Sequence, residues 1–376
     1  MHNNLILTLN STMRTIQRVC TLVIATILFA SAATAAPKRQ YVDASSLTTI
    51  NKAQNDGLPF NRIDVEQFGI TKSAKYGLLN STGLAIVFST NSRGISVKWT
   101  TTAKKLGSNM TPIFHSGLDL YIKDGNRWVF AGVARPSTTS QKHEFVVVKN
   151  MAEGEKECML YMPMFNSVTS LHIGIDANAT IKAIPSPFKH KILFVGSSLT
   201  HGASAARPGL CYVARMGRML NAETPNIGLS GKCKLDDYFA NIVCATEADA
   251  YFFDTFSNST KKDIENRLYN FVKKIVAAHP DKPMIFLQTV KRDSGHFDLR
   301  ARKRNDDQRA AAEELMQKIC KEFKNVYFIN PGFYVGEDGE GTIDGSHLND
   351  LGVERMLTKI MPKVTKILKK YKIKSK

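Results

Sequence analysis

Two adjacent serines, Ser197 and Ser198, stand between glycines in the stretch VGSSLTHG, residues 195–202. The stretch follows an apolar run and precedes a segment of helical pattern, so we expect a sharp strand-to-helix turn. A serine exposed at such a turn is a candidate nucleophile, although a plain capping turn uses the same residues. The sequence excludes a P-loop, because no Gly-Lys-Ser/Thr follows. It also excludes the G-x-S-x-G elbow, because Gly202 comes too late.

An aspartate and a histidine, Asp344 and His347, stand three residues apart in the Gly-containing stretch DGSHL. An acid at this spacing can hold one imidazole nitrogen while the other nitrogen takes a proton from a serine. The same pattern fits a helix-capping turn that carries a surface histidine. On spacing alone both interpretations of Asp344 and His347 stay open.

The elements that must position these residues alternate between strand and helix after residue 189. Strand-like runs are KILFVG, ADAYFFDTF, MIFLQTV and VYFIN, separated by segments of helical periodicity. This alternation predicts an α/β domain over residues 189–376 with a parallel sheet. Ligands of such sheets lie beyond the carboxyl ends of the strands, and VGSSLTHG, FSNS and INPG all follow strand ends.

The preceding residues, 41–185, have a different pattern. Short runs rich in Val, Ile, Phe and Tyr, such as LAIVFST and ISVKWTT, alternate with turn residues. The stretch 123–126 predicts a hairpin turn. We therefore expect an antiparallel β-sandwich domain, joined by a short proline-containing linker at 184–187.

Four blocks of the chain resemble those of the SGNH, or GDSL-type, hydrolase family. The first family block, Gly-Asp-Ser-Leu/Ile-Thr-x-Gly, is similar to residues 196–202, which puts the nucleophile on Ser198 and not on Ser197. NIGLSG and FSNST resemble the second and third blocks, and DGSH the last. The resemblance assigns these block residues: Ser198, Gly231, Asn258, Asp344 and His347.

The resemblance implies a flavodoxin-like hydrolase fold and a serine esterase with a catalytic triad of Ser198, His347 and Asp344. It implies an oxyanion hole formed by the N–H groups of Ser198 and Gly231 and the amide of Asn258, with no metal and no cofactor. We expect all of these groups to come from residues 189–376, with nothing required from the N-terminal half.

Two blocks depart from the family pattern. Ser197 replaces the usual aspartate, and FSNS replaces Gly-x-Asn-Asp around Asn258. Asp254, at the end of a predicted strand, either supplies the hydrogen bond that this aspartate would make or is a strand-end acid with its own partners. We favour the second alternative.

A motif in the N-terminal half adds to the resemblance. Residues 117–121, GLDLY, are similar to the GxDLY motif of the β domain that precedes one bacterial subgroup of these hydrolases. We expect Asp119 and Tyr121 to be structural strand residues.

The first 35 residues have the pattern of a cleaved secretory signal. Arg14 and Arg18 precede an apolar run, and the segment ends in Ala33-Thr34-Ala35. The prediction is a secreted or periplasmic protein with no membrane segment after cleavage. The rival interpretation is an uncleaved membrane anchor, since the apolar run borders on spanning length.

Charge and cysteine content limit the partners. The net charge is +18, and residues 357–376 carry eight lysines and no acid. This helical segment either presents a solvated face or contacts an anionic glycan or membrane surface. No nucleic-acid motif accompanies it, so no nucleic-acid partner is expected.

The cysteines give no sign of a metal site. Cys233 and Cys244 could form a disulfide bond, and no cysteine spacing suggests zinc.

These observations predict a secreted esterase that removes small acyl groups, acetyl foremost, from a carbohydrate. Two alternatives stay open. One is a lipase or lysophospholipase of the same family, and the other is a carbohydrate-binding protein whose hydrolase half is weak or inactive.

Overall fold

The N-terminal half of the chain consists mainly of short strands. The structure is a computed structural model that describes residues 38–55, 57–103 and 105–373, so the predicted signal peptide lies outside the described residues. Helices α1 (Lys72–Leu78) and α2 (Pro112–Ser116) lie between strands. The strands are β1 (Arg39–Asp43), β2 (Thr48–Ile50), β3 (Ala85–Thr90), β4 (Ile95–Thr101), β5 (Leu118–Asp124), β6 (Arg127–Ala134), β7 (Lys142–Val148), β8 (Lys156–Tyr161), β9 (Val168–Asp176) and β10 (Ile181–Ala183).

These strands form two sheets. One has the order β1-β9-β4-β7, and the other has the order β10-β3-β8-β5-β6 with β2 paired to β3. In β4, Val97 and Trp99 are buried while Lys98 between them is exposed, which is the two-residue period of a half-buried strand. Strands β5 and β6 form an antiparallel hairpin whose turn contains Gly125 at φ +56°. Apolar residues of both sheets share one core, so the predicted antiparallel sandwich is confirmed.

The C-terminal half alternates strands and helices. Its helices are α3 (Ser198–His201), α4 (Tyr212–Leu220), α5 (Asp237–Cys244), α6 (Lys261–Ala278), α7 (Leu299–Glu322) and α8 (Asp350–Lys370). Its strands are β11 (His190–Gly196), β12 (Ala222–Glu223), β13 (Asn226–Gly228), β14 (Ala250–Asp254), β15 (Met284–Leu287) and β16 (Val326–Ile329).

The strands of this half form a parallel sheet of flavodoxin-like order. The order is β12-β11-β14-β15-β16, and β13 also pairs with β11. In chain order this is 2-1-3-4-5, which has its switch point between β11 and β14. The predicted fold class is confirmed, and the switch point marks where a ligand of this sheet is expected.

The two halves share an apolar core. One cluster of buried side chains includes Val87, Tyr121 and Met159 from the sandwich together with Phe194 and Tyr212 from the α/β half. The described residues from Gln40 onward form one compact unit. Continuous packing of this kind couples the two halves, while the predicted domain boundaries at 41–185 and 189–376 stay predictions.

The C-terminal helix α8 is amphipathic, as its sequence predicts. It buries an apolar stripe and exposes its lysines to solvent. No helix within the described residues combines the length and the apolar composition needed to cross a membrane.

Candidate active site

The two adjacent serines occupy different environments at the carboxyl end of β11. The Ser197 side chain is fully buried, donates a hydrogen bond to the Asp254 carboxylate (2.7 Å) and accepts one from the Leu199 N–H (3.1 Å). Ser198 begins α3, and its Oγ lies 2.9 Å from Nε2 of His347. The structure therefore brings Ser198, and not Ser197, next to the histidine.

Asp344 holds the other side of the His347 ring. Its Oδ2 lies 2.7 Å from Nδ1 of His347, and its Oδ1 accepts the backbone N–H groups of Ser346 (3.1 Å) and His347 (2.9 Å). Burial raises the pKa of Asp344, but the hydrogen bonds from His347 and Asn109 outweigh burial and lower this pKa to about 2. An ionised Asp344 fixes the tautomer that leaves Nε2 free to accept the Ser198 proton.

Asn109, in the loop before α2, also reaches this pair. Its Nδ2 donates to Oδ2 of Asp344 (3.1 Å) and lies 3.3 Å from Nδ1 of His347. The N-terminal half therefore contributes a contact to the site, while the expectation that the chemistry requires nothing from this half stays a prediction. A donor on the carboxylate stabilises its ionised form, and no local sequence signal distinguishes Asn109 from any other loop asparagine.

The remaining block residues line the same cavity as Ser198 and His347. This cavity of about 350 Å³ is bordered by Ser198, Gly231, Asn258 and His347 among others. Gly231 has φ +70°, a conformation that favours glycine, and its N–H has no acceptor within the described residues. The Asn258 amide oxygen is buried without a hydrogen-bond partner. Because Ser198 is the first residue of α3, its N–H has no acceptor within the helix.

The loop that carries Gly231 is fixed by His201. Its Nε2 donates to the Met164 carbonyl (2.9 Å), its Nδ1 accepts the Ser230 N–H (3.3 Å), and its ring stacks on Phe165 at 3.8 Å between centroids. Burial, followed by the charge of Arg62, lowers the pKa of His201 well below its ordinary value. A neutral His201 therefore links α3 to the loop, and it uses two residues of the sandwich to do so.

Strand β13, which leads into this loop, is held by a buried arginine. Arg62 is fully buried and donates to the carbonyls of Asn226 (2.7 Å) and Gly228 (3.1 Å). Burial lowers the pKa of Arg62 to about 9. A Cβ on Gly228 would lie 2.2 Å from the backbone nitrogen of His201, so glycine permits β13 to approach α3 closely.

Asp254, at the end of β14, has several hydrogen-bond partners around the turn that carries the two serines. Its carboxylate accepts the hydroxyls of Ser197 (2.7 Å), Thr200 (3.2 Å) and Ser257 (3.1 Å). Asp254 is thus a strand-end acid with its own partners. One of these partners is Ser197, which stands where the family pattern has an aspartate, so both alternatives describe it. Burial raises the pKa of Asp254 to about 6, against the hydrogen bonds from these hydroxyls.

The GxDLY-like residues contact the loop that follows α3. Asp119 is fully buried, forms an ion pair with Arg207 (2.7 Å) and accepts the Gly209 N–H (2.8 Å). The Tyr121 hydroxyl accepts from Arg207 (2.8 Å), and the guanidinium of Arg218 lies over the Tyr121 ring. These strand residues are structural, and what they stabilise is a loop of the α/β half.

Metal ligation and disulfide bonding have no support in the described residues. No group of three or more His, Cys, Asp or Glu side chains there could hold a metal ion. Cys233 and Cys244 are free thiols, as are Cys158, Cys211 and Cys320. Burial raises the pKa of the Cys233 thiol well above its ordinary value, so this thiol is unreactive.

A flavodoxin-like sheet with serine, histidine and aspartate at its carboxyl edge defines the serine ester hydrolases as the class of this protein. Residues 189–365 match the GDSL-like lipase/acylhydrolase family, and residues 39–181 match the GxDLY family, the N-terminal part of SGNH-hydrolase-type esterases. The crystal structure of a protein from Bacteroides ovatus described as a GDSL-like lipase is similar at 40% identity, with a TM-score of 0.86 over 88% of this chain and 98% of that chain. The chain belongs to the GDSL-like lipase/acylhydrolase family.

More distant structures share the fold. The salicylyl-acyltransferase of a tetracycline biosynthetic pathway is 20% identical, with a TM-score of 0.70 over 88% of this chain and 97% of that one. A family-two carbohydrate esterase from Cellvibrio japonicus is 13% identical, with a TM-score of 0.55 over 89% of this chain and 99% of that one. No curated protein matches the chain.

Proposed function

We propose that the protein removes small acyl groups, acetyl foremost, from carbohydrate, with Ser198, His347 and Asp344 as its catalytic triad. The observation that carries this proposal is the continuous hydrogen-bond chain from Asp344 through His347 to the Ser198 hydroxyl. This hydrogen-bond chain ends at a cavity that is also lined by Gly231, whose N–H has no acceptor within the described residues.

In the proposed reaction Ser198 Oγ attacks the ester carbonyl while Nε2 of His347 takes its proton. The negative charge on the carbonyl oxygen is stabilised by the N–H groups of Ser198 and Gly231 and the amide of Asn258, each worth about 3–4 kcal/mol in the transition state. His347 then protonates the leaving alcohol, and water repeats the sequence on the acyl-enzyme. Asp344 stays ionised throughout and stabilises the imidazolium.

Two properties support a small acyl group on a carbohydrate. The cavity of about 350 Å³ lies near the lower end of the roughly 300–1,000 Å³ typical of ligand pockets. Serine, asparagine and basic side chains line much of it, which suits a hydroxylated substrate better than an alkyl chain. The family-two carbohydrate esterases share the fold, and we extend their substrate class to this chain as part of the proposal.

The test measures kcat/KM on p-nitrophenyl esters from acetate to dodecanoate, together with acetate release from acetylated polysaccharides. We expect the acetyl ester to be the best aryl substrate, acetate to be released from at least one polysaccharide, and Ser198→Ala to abolish both activities. A preference for the long-chain esters would instead favour the lipase alternative, and absence of any hydrolysis would favour the inactive binding protein.

We also propose that the protein acts in the periplasm or outside the cell, on the basis of the signal-like pattern in residues 1–35. Cell fractionation and N-terminal sequencing of the mature protein test this. A protein found in the cytoplasm, or retained in the membrane with residues 1–35 attached, would contradict it.

A further inference from the structure

The cavity beside Ser198 has an unusual charge distribution. Besides His347, its ionisable lining residues are Lys234, Arg292 and Arg304. None of the described residues that line it is an aspartate or a glutamate. Three side chains of one sign therefore border the place where the ester would bind.

These cations come from separate elements and lack carboxylate partners at the cavity. Arg292 follows β15, is half-buried and donates to the Ser257 carbonyl (2.5 Å). Arg304 lies on α7, and Lys234 lies in the segment before α5; both are exposed, and neither forms an ion pair within the described residues.

The two guanidinium groups act on each other. Burial, and after it the charge of Arg304, lowers the pKa of Arg292, while the carboxylates of Asp254 and Asp344 act in the opposite direction. Like charges held together at a cavity repel one another, and an anion bound between them removes that repulsion. Guanidinium groups bind carboxylates through paired, charge-assisted hydrogen bonds.

We propose that the ester substrate carries a negative charge near its acyl group, and that Lys234, Arg292 and Arg304 form the subsite for this anion. The inference rests on the proposed function, in which the substrate is an acylated carbohydrate. The substrate class is then an acetylated sugar that bears a carboxylate, such as a uronate residue of an acidic polysaccharide. The formal net charge, +18 for the full sequence and 18 − 2 = +16 without Arg14 and Arg18 of the predicted signal, steers such a polyanion towards the enzyme.

The test compares two acetylated methyl glycosides with the acetyl group on the same hydroxyl, a galacturonoside and a galactoside. A second pair, 4-acetoxybenzoate and its methyl ester, carries the same charge difference without a sugar. For the wild-type enzyme we expect a higher kcat/KM for the charged sugar by about two- to fivefold, the upper part of the range for one exposed ion pair. The difference should lie in KM and shrink as salt is added.

Single substitutions test which of the cavity cations cause the preference for the charged substrate. Arg304→Gln and Lys234→Gln should each lower the charged-to-neutral ratio of kcat/KM towards one, and Arg304→Glu should lower it further. Arg300→Gln is the matched control, because Arg300 lies one turn earlier on α7, is exposed and does not line the cavity. It should leave the ratio at the wild-type value.

Three results separate the possibilities. Equal kcat/KM for both members of each pair would overturn the anion subsite while leaving an active esterase. A proportional loss on charged and neutral esters in Arg304→Gln would also overturn it, because the cations would then act only on the oxyanion. Charge preference on the acetoxybenzoates without hydrolysis of either sugar would support the subsite and refute the carbohydrate substrate.

Discussion

Ser197 and Ser198 are chemically identical and adjacent, yet their surroundings give them opposite roles. Ser197 is fully buried, and its hydroxyl is committed to Asp254, so it cannot reach an ester. Ser198 lies at the cavity and beside His347. The difference follows from the turn itself, since consecutive residues at a strand end point to opposite sides.

Ser198→Ala should therefore abolish hydrolysis of p-nitrophenyl acetate, with a loss of kcat that approaches roughly a million-fold. Ser197→Ala removes a buried hydrogen bond and should mainly lower stability, by about 1–3 kcal/mol, with a far smaller loss of activity. Steady-state kinetics and thermal melting of both variants check this. A greater loss of kcat in Ser197→Ala would shift the nucleophile by one residue.

Asn109 should help to keep Asp344, the acid of the proposed triad, ionised. Asn109→Ala removes one donor from the Asp344 carboxylate, and a hydrogen bond to a charged group is worth about 1.5–3 kcal/mol. We expect kcat to fall by about tenfold or more, with KM little changed, compared with a loss of about 10⁴ for Asp344→Asn.

The control for Asn109 is Ser108→Ala in the same loop, because Ser108 is exposed and has no hydrogen bond to the described residues. It should behave as wild type. Wild-type kcat in Asn109→Ala would mean that the carboxylate is held sufficiently by the backbone N–H groups alone.

At the scale of elements, the end of β14 fixes the start of α3. Asp254, the last residue of β14, accepts hydroxyls from both Ser197 and Thr200, while its backbone carbonyl accepts the Ser197 N–H (3.0 Å). The two strands at the switch point, β11 and β14, thus hold between them the turn that carries Ser197 and Ser198. The family pattern has an aspartate where this chain has Ser197. Here the carboxylate beneath the turn comes from Asp254, on the neighbouring strand β14.

This carboxylate should make stability depend on pH. Burial raises the pKa of Asp254 from 3.8 to about 6, so its ionised form destabilises the fold. That cost is present above about pH 6 and disappears as the pH falls towards 4. A difference of about two pKa units corresponds to a free energy on the order of 3 kcal/mol.

The side chain of Asp254→Asn cannot ionise, and its amide can still form hydrogen bonds with the neighbouring hydroxyls. The Ser257 hydroxyl can accept from this amide, because it can donate its own proton to Thr289 (2.6 Å) instead. The free energy of unfolding of Asp254→Asn relative to wild type should therefore increase from pH 4 to pH 7 by roughly the same 3 kcal/mol. Urea denaturation at both pH values measures it. Parallel pH profiles for the two proteins would show that Asp254 does not titrate in this range.

For the whole molecule, the sandwich supports the α/β half at several points. Asn109 of the sandwich contacts Asp344 of the proposed triad. Met164 and Phe165 contact His201, and Asp119 pairs with Arg207. The two halves also share an apolar core. Removing the sandwich would expose that core to water, which is unfavourable in proportion to the apolar area.

Calorimetry of the full chain should therefore give a single unfolding transition. Asp119→Ala should lower the stability of that whole transition by about 3–5 kcal/mol, because it leaves the largely buried Arg207 without its partner. Two transitions, of which Asp119→Ala shifted only one, would mean that the halves unfold independently.

The sequence by itself determined the fold class and the four family blocks. Strand and helix periodicities are local, so the alternation after residue 189 predicted the parallel sheet, and β11 and β14 begin and end close to the predicted runs. Helix α7 begins at Leu299, but its first turns are charged and carry no apolar stripe, so periodicity alone does not indicate where it starts.

Only the tertiary structure decided which groups surround the triad. Asn109 lies 235 residues from Asp344 in the chain, and Arg62 lies 164 residues from Asn226. Contacts at such separations leave no periodicity in either segment, since each partner is a single polar residue in a loop. For the same reason the role of Asp254 depended on how β11 and β14 lie side by side, and the three cations of the cavity were invisible as a group until the strand ends brought them together.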